Sequence, residues 1–459
     1  MKNNILYINL IIYIIHLKQS FSYLVLPFKT RPSQINDTEK NITLFLSSLV
    51  DNNIFINLDI GEPKQTIEVF LRSDTNDFYL SEKPSNDSKT NDSRPFMFDV
   101  GSDISKYFDQ NNSISLDITN ESINSYPSRA HIGNVSNDYL YFTNNENKII
   151  KKRIPFILYH SIMRHSPGVI GLEAITYEND KKYNFIDKLK MNDVIESYYW
   201  MINYTSDNEG DLIIGEQPHI IDPLNYKEED LFKHHPFLED SMVGWGLIFD
   251  DINFKDKYFR EFHESYFNYG INYIKGVVEL EKELDKYFNE SIQDGICYKV
   301  TIKYSYYPFK IYYCDKDKYK DNIKNFPKLT FFQYDFNYTF ELDYTDLFKE
   351  KGDKIILMIF FDEAPFDWYL GKPFLKKYSF LMNQDSKIVG FYKRKDYKNS
   401  DNSNDDNNVI LKIILIVIGV IILLILGIFI GKYFFKNKKK HKNILDEDYD
   451  YTTKIDDIN

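Results

Sequence analysis

The chain has 459 residues, of which 43% are hydrophobic and 17% aromatic, and its formal net charge at pH 7 is -12. This length admits one large domain or two medium ones with ample material for a core. Nucleic-acid binding is excluded as an expected function, because it calls for a basic surface.

The N-terminus has the pattern of a secretory signal. Residues 5–17 form an apolar stretch that follows Lys2, is too short to span a bilayer comfortably, and leads to the small residue Ser22. This pattern predicts a signal peptide over residues 1–22. Residues 23–44 are then expected to be a polar leader ahead of the body.

The body is predicted to be rich in β-strands. Alternation of apolar and polar residues with a period of two predicts strands, and it occurs at residues 55–60, 66–71, 140–143, 211–214, 246–250, 299–304 and 354–360. Helical spacing of apolar residues is found mainly at 184–190 and 278–288. A β-rich body with a few short helices follows.

The C-terminal part has the features of a membrane anchor. Residues 396–408 are rich in Asn, Asp and Ser, which predicts a flexible stalk. Residues 409–431 follow, uncharged from Ile413 onward and long enough to cross a hydrocarbon core of about 30 Å, which predicts a transmembrane helix. The next lysines place residues 432–459 in the cytosol: Lys432, Lys436, Lys438, Lys439, Lys440 and Lys442.

This orientation predicts a single-pass type I membrane protein of the secretory pathway or cell surface, with a lumenal or extracellular body. The only two cysteines, Cys297 and Cys314, would then meet an oxidising compartment, where a disulfide is expected and two free buried thiols are the alternative. The predicted lumenal part carries candidate N-glycosylation sites at Asn36, Asn41, Asn86, Asn91, Asn111, Asn120, Asn134, Asn203, Asn289 and Asn337.

Several segments, in order along the chain, carry a family resemblance: Phe55 to Gln65, Gly168-Val169-Ile170-Gly171-Leu172, Gly210 to Gly215, Gly244-Trp245-Gly246-Leu247, and Trp368-Tyr369-Leu370-Gly371-Lys372-Pro373-Phe374-Leu375. Over about residues 53–395 the chain resembles the pepsin-like aspartic peptidases, family A1. The resemblance implies an all-β, bilobal fold with a few short helices, an N-terminal lobe at 45–230, a C-terminal lobe at 231–395 and a cleft between them.

The family's chemistry needs an Asp-Thr-Gly triplet in each lobe, because two carboxylates that share a proton activate the attacking water. A gapless count from Gly61 puts Arg72-Ser73-Asp74 at the first triplet, and the second corresponds to Asn268-Tyr269-Gly270. Arginine stays protonated and asparagine does not titrate. A competing register with Asp74 as the acid needs a two-residue insertion and still leaves a single carboxylate.

Other residues follow from the same resemblance. Tyr126 and Gly133 match the flap, and Gly171 and Gly371, with Gly270, match glycines of structural loops. No cofactor is implied. A metal site is not expected either, because His234 and His235 have no ligand pair at metal spacing.

The sequence therefore predicts a non-catalytic pseudopeptidase that binds a peptide or protein ligand in its cleft. Two alternatives stay open. One is an active aspartic endopeptidase that performs proteolysis with an atypical site containing Asp74. The other is a glycosylated surface protein in which the fold serves display or adhesion.

Overall fold

Strands dominate the part of the chain that the structure describes. The structure is a computed structural model, and it describes residues 23–31, 46, 49–83, 107–124, 132–143, 147–159, 167–175, 182–236, 244–259, 263–304, 307–362 and 367–393. All of these residues belong to one unit that ends at Arg394. The predicted signal peptide, stalk, transmembrane helix and cytosolic tail lie outside the described residues and stay predictions.

The strands, in chain order, are β1 (Leu24–Arg31), β2 (Asn53–Ile60), β3 (Gln65–Arg72), β4 (Phe78–Ser81), β5 (Asp117–Asn124), β6 (Ile132–Thr143), β7 (Ile149–Tyr159), β8 (Gly168–Gly171), β9 (Tyr199–Tyr204), β10 (Glu209–Ile214), β11 (Leu231–Pro236), β12 (Gly246–Phe249), β13 (Asp251–Phe254), β14 (Lys257–Phe259), β15 (His263–Phe267), β16 (Ile274–Lys275), β17 (Cys297–Tyr304), β18 (Tyr307–Asp315), β19 (Leu329–Gln333), β20 (Tyr338–Leu342), β21 (Phe348–Lys351), β22 (Lys354–Leu357), β23 (Ile359–Phe360), β24 (Trp368–Leu370), β25 (Phe380–Asn383) and β26 (Ile388–Tyr392).

Among the described residues, one helix is long and the others are short. They are α1 (Phe185–Met191), α2 (Pro218–Ile221), α3 (Val278–Gln293), α4 (Lys316–Tyr319), α5 (Tyr344–Leu347) and α6 (Lys372–Leu375), with 3₁₀ turns at Gln110–Asn112, Glu228–Asp230 and Ile323–Asn325. Within the described residues, no helix is both long enough and apolar enough to cross a membrane.

The strands form four sheets. The largest has 13 strands in the order β11-β26-β25-β9-β10-β1-β2-β3-β8-β4-β7-β6-β5, with a further pairing of β2 and β6. The others have the orders β12-β15-β24-β16-β23, β14-β13-β19-β20 and β17-β18-β22-β21. The large sheet combines strands from both ends of the body, whereas the smaller sheets use residues between 246 and 370.

One arrangement of four strands occurs twice. In the large sheet β3 pairs in parallel with β8, β8 antiparallel with β4, and β4 in parallel with β7. In the five-stranded sheet β15 pairs in parallel with β24, β24 antiparallel with β16, and β16 in parallel with β23. The two halves of the body therefore repeat one plan around the ends of β3 and β15.

The predicted all-β fold with a few short helices is confirmed. Five predicted strands fall within β2, β3, β6, β10 and β17. The run at 246–250 extends one residue beyond β12, and the run at 354–360 is divided into β22 and β23. The helix predicted at 184–190 is α1, and Asn184 caps it by accepting a hydrogen bond from the Asp187 N–H. The helix predicted at 278–288 is α3, which continues to Gln293.

The predicted polar leader at 23–44 needs a correction, because part of it belongs to the body. Residues 24–31 form β1, which pairs antiparallel with β10 on one side and with β2 on the other. Leu24 and Phe28 are almost completely buried. Residues 24–28 are all apolar, so this strand lacks the alternation with a period of two that predicts the other strands.

The predicted disulfide is present. Cys297 and Cys314 lie directly opposite each other on the antiparallel pair β17 and β18 and are bonded. Helix α3 packs beside this pair, where Phe288 stacks on Tyr312 with ring centroids 5.2 Å apart. The buried carboxylate of Glu281 in α3 contacts lysines from both strands, Lys299 and Lys310.

Candidate functional site

The first triplet, Arg72-Ser73-Asp74, lies where β3 ends. Arg72 is the last residue of β3 and stands opposite Gly171 of β8, and its carbonyl accepts a hydrogen bond from the Leu172 N–H at 2.7 Å. The chain then turns back over Gly171, where any Cβ would collide with the backbone of Thr75. Gly171, the last residue of β8, is therefore required by close packing, and its role in a structural loop stays a prediction.

The second triplet, Asn268-Tyr269-Gly270, has the same setting at the end of β15. The Asn268 N–H donates to the Leu370 carbonyl of β24 at 3.0 Å. Here the chain turns back over Gly371, where a Cβ would collide with the Tyr273 carbonyl. The two triplets therefore occupy equivalent places in the repeated strand arrangement.

The two triplets, 196 residues apart in sequence, contact each other. The Ser73 Oγ accepts a hydrogen bond from the Tyr269 N–H at 3.1 Å. A Cβ on Gly270 would lie 3.2 Å from Asn268 Oδ1 and 3.8 Å from Arg72 Nε. The structure thus brings Arg72 and Asn268 together around Gly270.

Arg72 forms a fork-shaped ion pair with Asp74. The Arg72 Nε donates to Asp74 Oδ1 at 2.8 Å, and Nη2 donates to Oδ2 at 2.5 Å. Burial by itself lowers the pKa of Arg72, but the charge and hydrogen bonds of Asp74, with smaller contributions from Tyr79 and Asp51, raise it above the ordinary value. The guanidinium therefore stays charged throughout the pH range of any enzyme assay.

Asn268 is held by its own loop. Its Oδ1 accepts a hydrogen bond from the Gly270 N–H at 2.9 Å. That bond fixes which side of the amide carries oxygen, because only the oxygen can accept. The amide nitrogen consequently faces away from the Gly270 N–H, and Asn268 contributes a neutral group that cannot exchange a proton near neutral pH.

Asn52 supports the second triplet from the first half of the chain. Its N–H donates to the Gly270 carbonyl at 2.9 Å, and its Nδ2 donates to the Tyr269 carbonyl at 2.8 Å. Sequence reasoning missed this residue. The available signal was its place directly before β2, but nothing local indicates a partner more than 200 residues away.

An aromatic layer lies under the triplets. Tyr269 is buried and packs on Trp200 with ring centroids 6.0 Å apart, and Trp200 packs on Trp245 at the same distance. The Trp245 Nε1 donates to the Leu172 carbonyl at 2.9 Å, next to the first triplet. Burial raises the pKa of Tyr269. The layer therefore joins the backs of both triplets and keeps the tyrosine neutral.

The predicted flap is described in part. Strands β5 and β6 pair antiparallel up to Asn124 and Ile132, and Tyr126 lies outside the described residues. Gly133 in β6 is opposite Tyr159 of β7, and a Cβ there would lie 2.8 Å from Ile157 Cγ2. Close packing between strands explains the glycine, and its role in a flap stays a prediction.

The body is mostly β, and one strand arrangement occurs in it twice. A triplet stands at the end of each copy, and the two triplets contact each other. These features define the class as a pepsin-like fold. The sequence model of the family described as eukaryotic aspartyl protease matches residues 53–394. The chain belongs to this family. A search of curated proteins gave no match.

Proposed function

We propose that this chain is a non-catalytic member of the aspartyl protease family that binds a peptide or protein in its cleft. The observation that carries the proposal is the contact between the two triplets. Their first residues, Arg72 and Asn268, occupy equivalent places at the ends of β3 and β15. A guanidinium and an amide stand there, so this register offers no pair of carboxylates.

The family's reaction requires one proton shared between two carboxyl groups. Arg72 keeps its own proton, and the Asn268 amide has none to exchange. Asp74 is the third residue of the first triplet, two residues after Arg72, and both of its oxygens accept from Arg72. Thr75, three residues after Arg72, packs on Gly171. Ile271, three residues after Asn268, packs on Gly371 in the same way. This equivalence favours the register that matches Arg72 with Asn268 over the competing one.

The expected location of the protein follows from its sequence. A signal peptide at 1–22 and a transmembrane helix at 409–431 would hold the body on the lumenal or extracellular side of a membrane. The predicted glycans and the flap residue Tyr126 would lie on that side as well. The ligand would then be a peptide or protein of the secretory pathway or the cell surface.

The test is a cleavage assay on the full-length protein in detergent micelles. A broad peptide library is incubated from pH 3 to 7, with and without a transition-state inhibitor of aspartic peptidases. We expect no inhibitor-sensitive cleavage at any pH. Emission from the three tryptophans, all of them buried, verifies that the body is folded.

Two variants separate the proposal from an active peptidase. Asp74→Ala removes the acid of the competing register, and Asp51→Asn removes the other carboxylate whose charge reaches Arg72. Inhibitor-sensitive cleavage by the unmodified protein that disappears in either variant would overturn the proposal and establish an atypical catalytic site. If the folded protein neither cleaves nor retains peptides, display or adhesion becomes the better explanation.

A further inference from the structure

At the contact between the triplets, Arg72 and Asn268 carry hydrogen-bond donors where a pair of carboxyl groups would present mainly acceptors. Two carboxyl groups that share one proton present mainly acceptors, whereas the Asn268 amide uses its one oxygen to accept from the Gly270 N–H. Its Nδ2 donates no hydrogen bond to any residue in the described part of the chain. Asn268 itself is half-buried. It therefore offers a ligand a donor at the place where the family's catalytic acid would offer acceptors.

The charges around this donor favour the same kind of ligand. Arg72 adds a permanent positive charge beside Gly270, within 4 Å of the position that a Cβ would occupy there. The nearby carboxylate of Asp74 has both oxygens engaged by that guanidinium. A ligand group that accepts hydrogen bonds gains from this arrangement, whereas a group that must also donate meets oxygens whose charge is already balanced by Arg72.

We infer that the contact between the two triplets binds the carbonyl oxygen of an intact peptide bond through Asn268 Nδ2. The same contact has no preference for the hydroxyl group of a tetrahedral transition-state mimic. The inference rests on the proposed function, since it names the ligand chemistry of the same cleft. The expected ligand is a peptide with a plain amide at its centre.

The physical reason lies in what a hydroxyl group needs. In an active peptidase, transition-state analogues bind 10² to 10⁸ times more tightly than substrates, because the site complements the tetrahedral state. A carbonyl oxygen has lone pairs and no proton, so a single donor satisfies it. A hydroxyl in the same place must also find an acceptor for its proton, and burying that donor without a partner weakens binding.

The experiment compares two octapeptide libraries on the full-length protein in detergent micelles. One library has ordinary peptide bonds, and the other carries a hydroxyethylene group in place of the central bond. Retained peptides are identified by mass spectrometry, and the affinities of matched pairs are then measured. We expect the amide member of each pair to bind at least as tightly as the hydroxyl member.

The outcomes distinguish the inference from the proposed function. A hydroxyl member that binds 100-fold or more tightly than its amide partner, the lower limit for transition-state analogues, would overturn the inference while leaving a peptide-binding cleft. Retention of neither library by the folded protein would overturn the proposed function itself.

A matched pair of variants tests the donor directly. Asn268→Asp keeps the acceptor for the Gly270 N–H but replaces the Nδ2 donor by a second, charged acceptor. We expect the affinity ratio to shift about tenfold toward the hydroxyl member, as charge-assisted hydrogen bonds are the stronger kind. Asn325→Asp, at an exposed site, should leave the ratio unchanged. Equal ratios in the two variants would contradict the inference.

Discussion

Ser73 carries a direct hydrogen bond between the two triplets. Its Oγ accepts from the Tyr269 N–H, and both residues are buried. We expect Ser73→Ala to lower the free energy of unfolding by about 1–2 kcal/mol, because a buried N–H is left without an acceptor. Urea unfolding followed by tryptophan emission measures the change.

The matched control is Ser73→Thr, which keeps the hydroxyl group. Its free energy of unfolding should stay within about 1 kcal/mol of the unmodified protein. If the alanine variant were as stable as the threonine variant, the bond between the triplets would contribute nothing measurable. The contact around Gly270 would then have to be held by Asn52 and the aromatic layer alone.

At the scale of elements, α3 is held by one apolar face. Leu280, Leu284 and Phe288 recur every four residues and are fully buried, and Glu279 and Glu281 suit the positive N-terminal end. We expect Leu284→Ala to lower the free energy of unfolding by about 2–5 kcal/mol through the cavity that it leaves.

Lys286→Ala, on the exposed face of the same helix, should change the free energy of unfolding by no more than about 0.5 kcal/mol. Both variants are compared by urea unfolding, with circular dichroism at 222 nm replacing tryptophan emission as the signal. Similar losses in the two variants would mean that α3 does not pack on the core through this face.

Strands β18 and β22 are joined by an ion pair that predicts a pH effect. Asp315 accepts a hydrogen bond from Lys354 at 2.5 Å, and that bond holds the pKa of Asp315 below its ordinary value. The unfolded chain therefore takes up this proton first as the pH falls. The stability from the pair is complete at neutral pH and is lost as the pH drops below about 4.

We expect Asp315→Asn to lower the free energy of unfolding at pH 7 by less than about 1 kcal/mol, since the pair is partly exposed. The variant should also lose less stability than the unmodified protein between about pH 5 and 3. Urea unfolding at each pH measures both effects. Asp317→Asn, at an exposed carboxylate nearby, is the control, and an identical pH profile in the two variants would contradict the assignment.

At the scale of the whole molecule, β1 completes the largest sheet. It lies between β10 and β2, so it connects the strands around β9, β25 and β26 with those around β3. Phe28 points into the core and packs edge-on against Tyr204 with ring centroids 5.2 Å apart. We expect Phe28→Ala to lower the free energy of unfolding by about 3–5 kcal/mol.

Val25, in the same strand, is 38% exposed and provides the control. Val25→Ala should have a much smaller effect in the same urea titration. If both variants lost equal stability, β1 would not be a buried strand of this sheet. The residues assigned to a polar leader would then stand outside the body after all.

Much of this protein was determined by short-range patterns in its sequence. Alternation over four to eight residues predicts β2, β3, β10 and β17, because side chains of a strand point in turn to its two faces. The gapless distance from Gly61 to Arg72 likewise gives the register of the first triplet. These features depend on neighbours within a few residues, which the sequence displays directly.

Only the tertiary structure decided which distant residues meet. The bond from Tyr269 to Ser73, the support of Gly270 by Asn52, and the place of β1 between β10 and β2 join segments that are far apart in the chain. Such contacts depend on how the strands are ordered and connected, and no local pattern encodes that order. The sequence by itself thus singled out Arg72 and Asn268, and the fold decided that both lie beside Gly270.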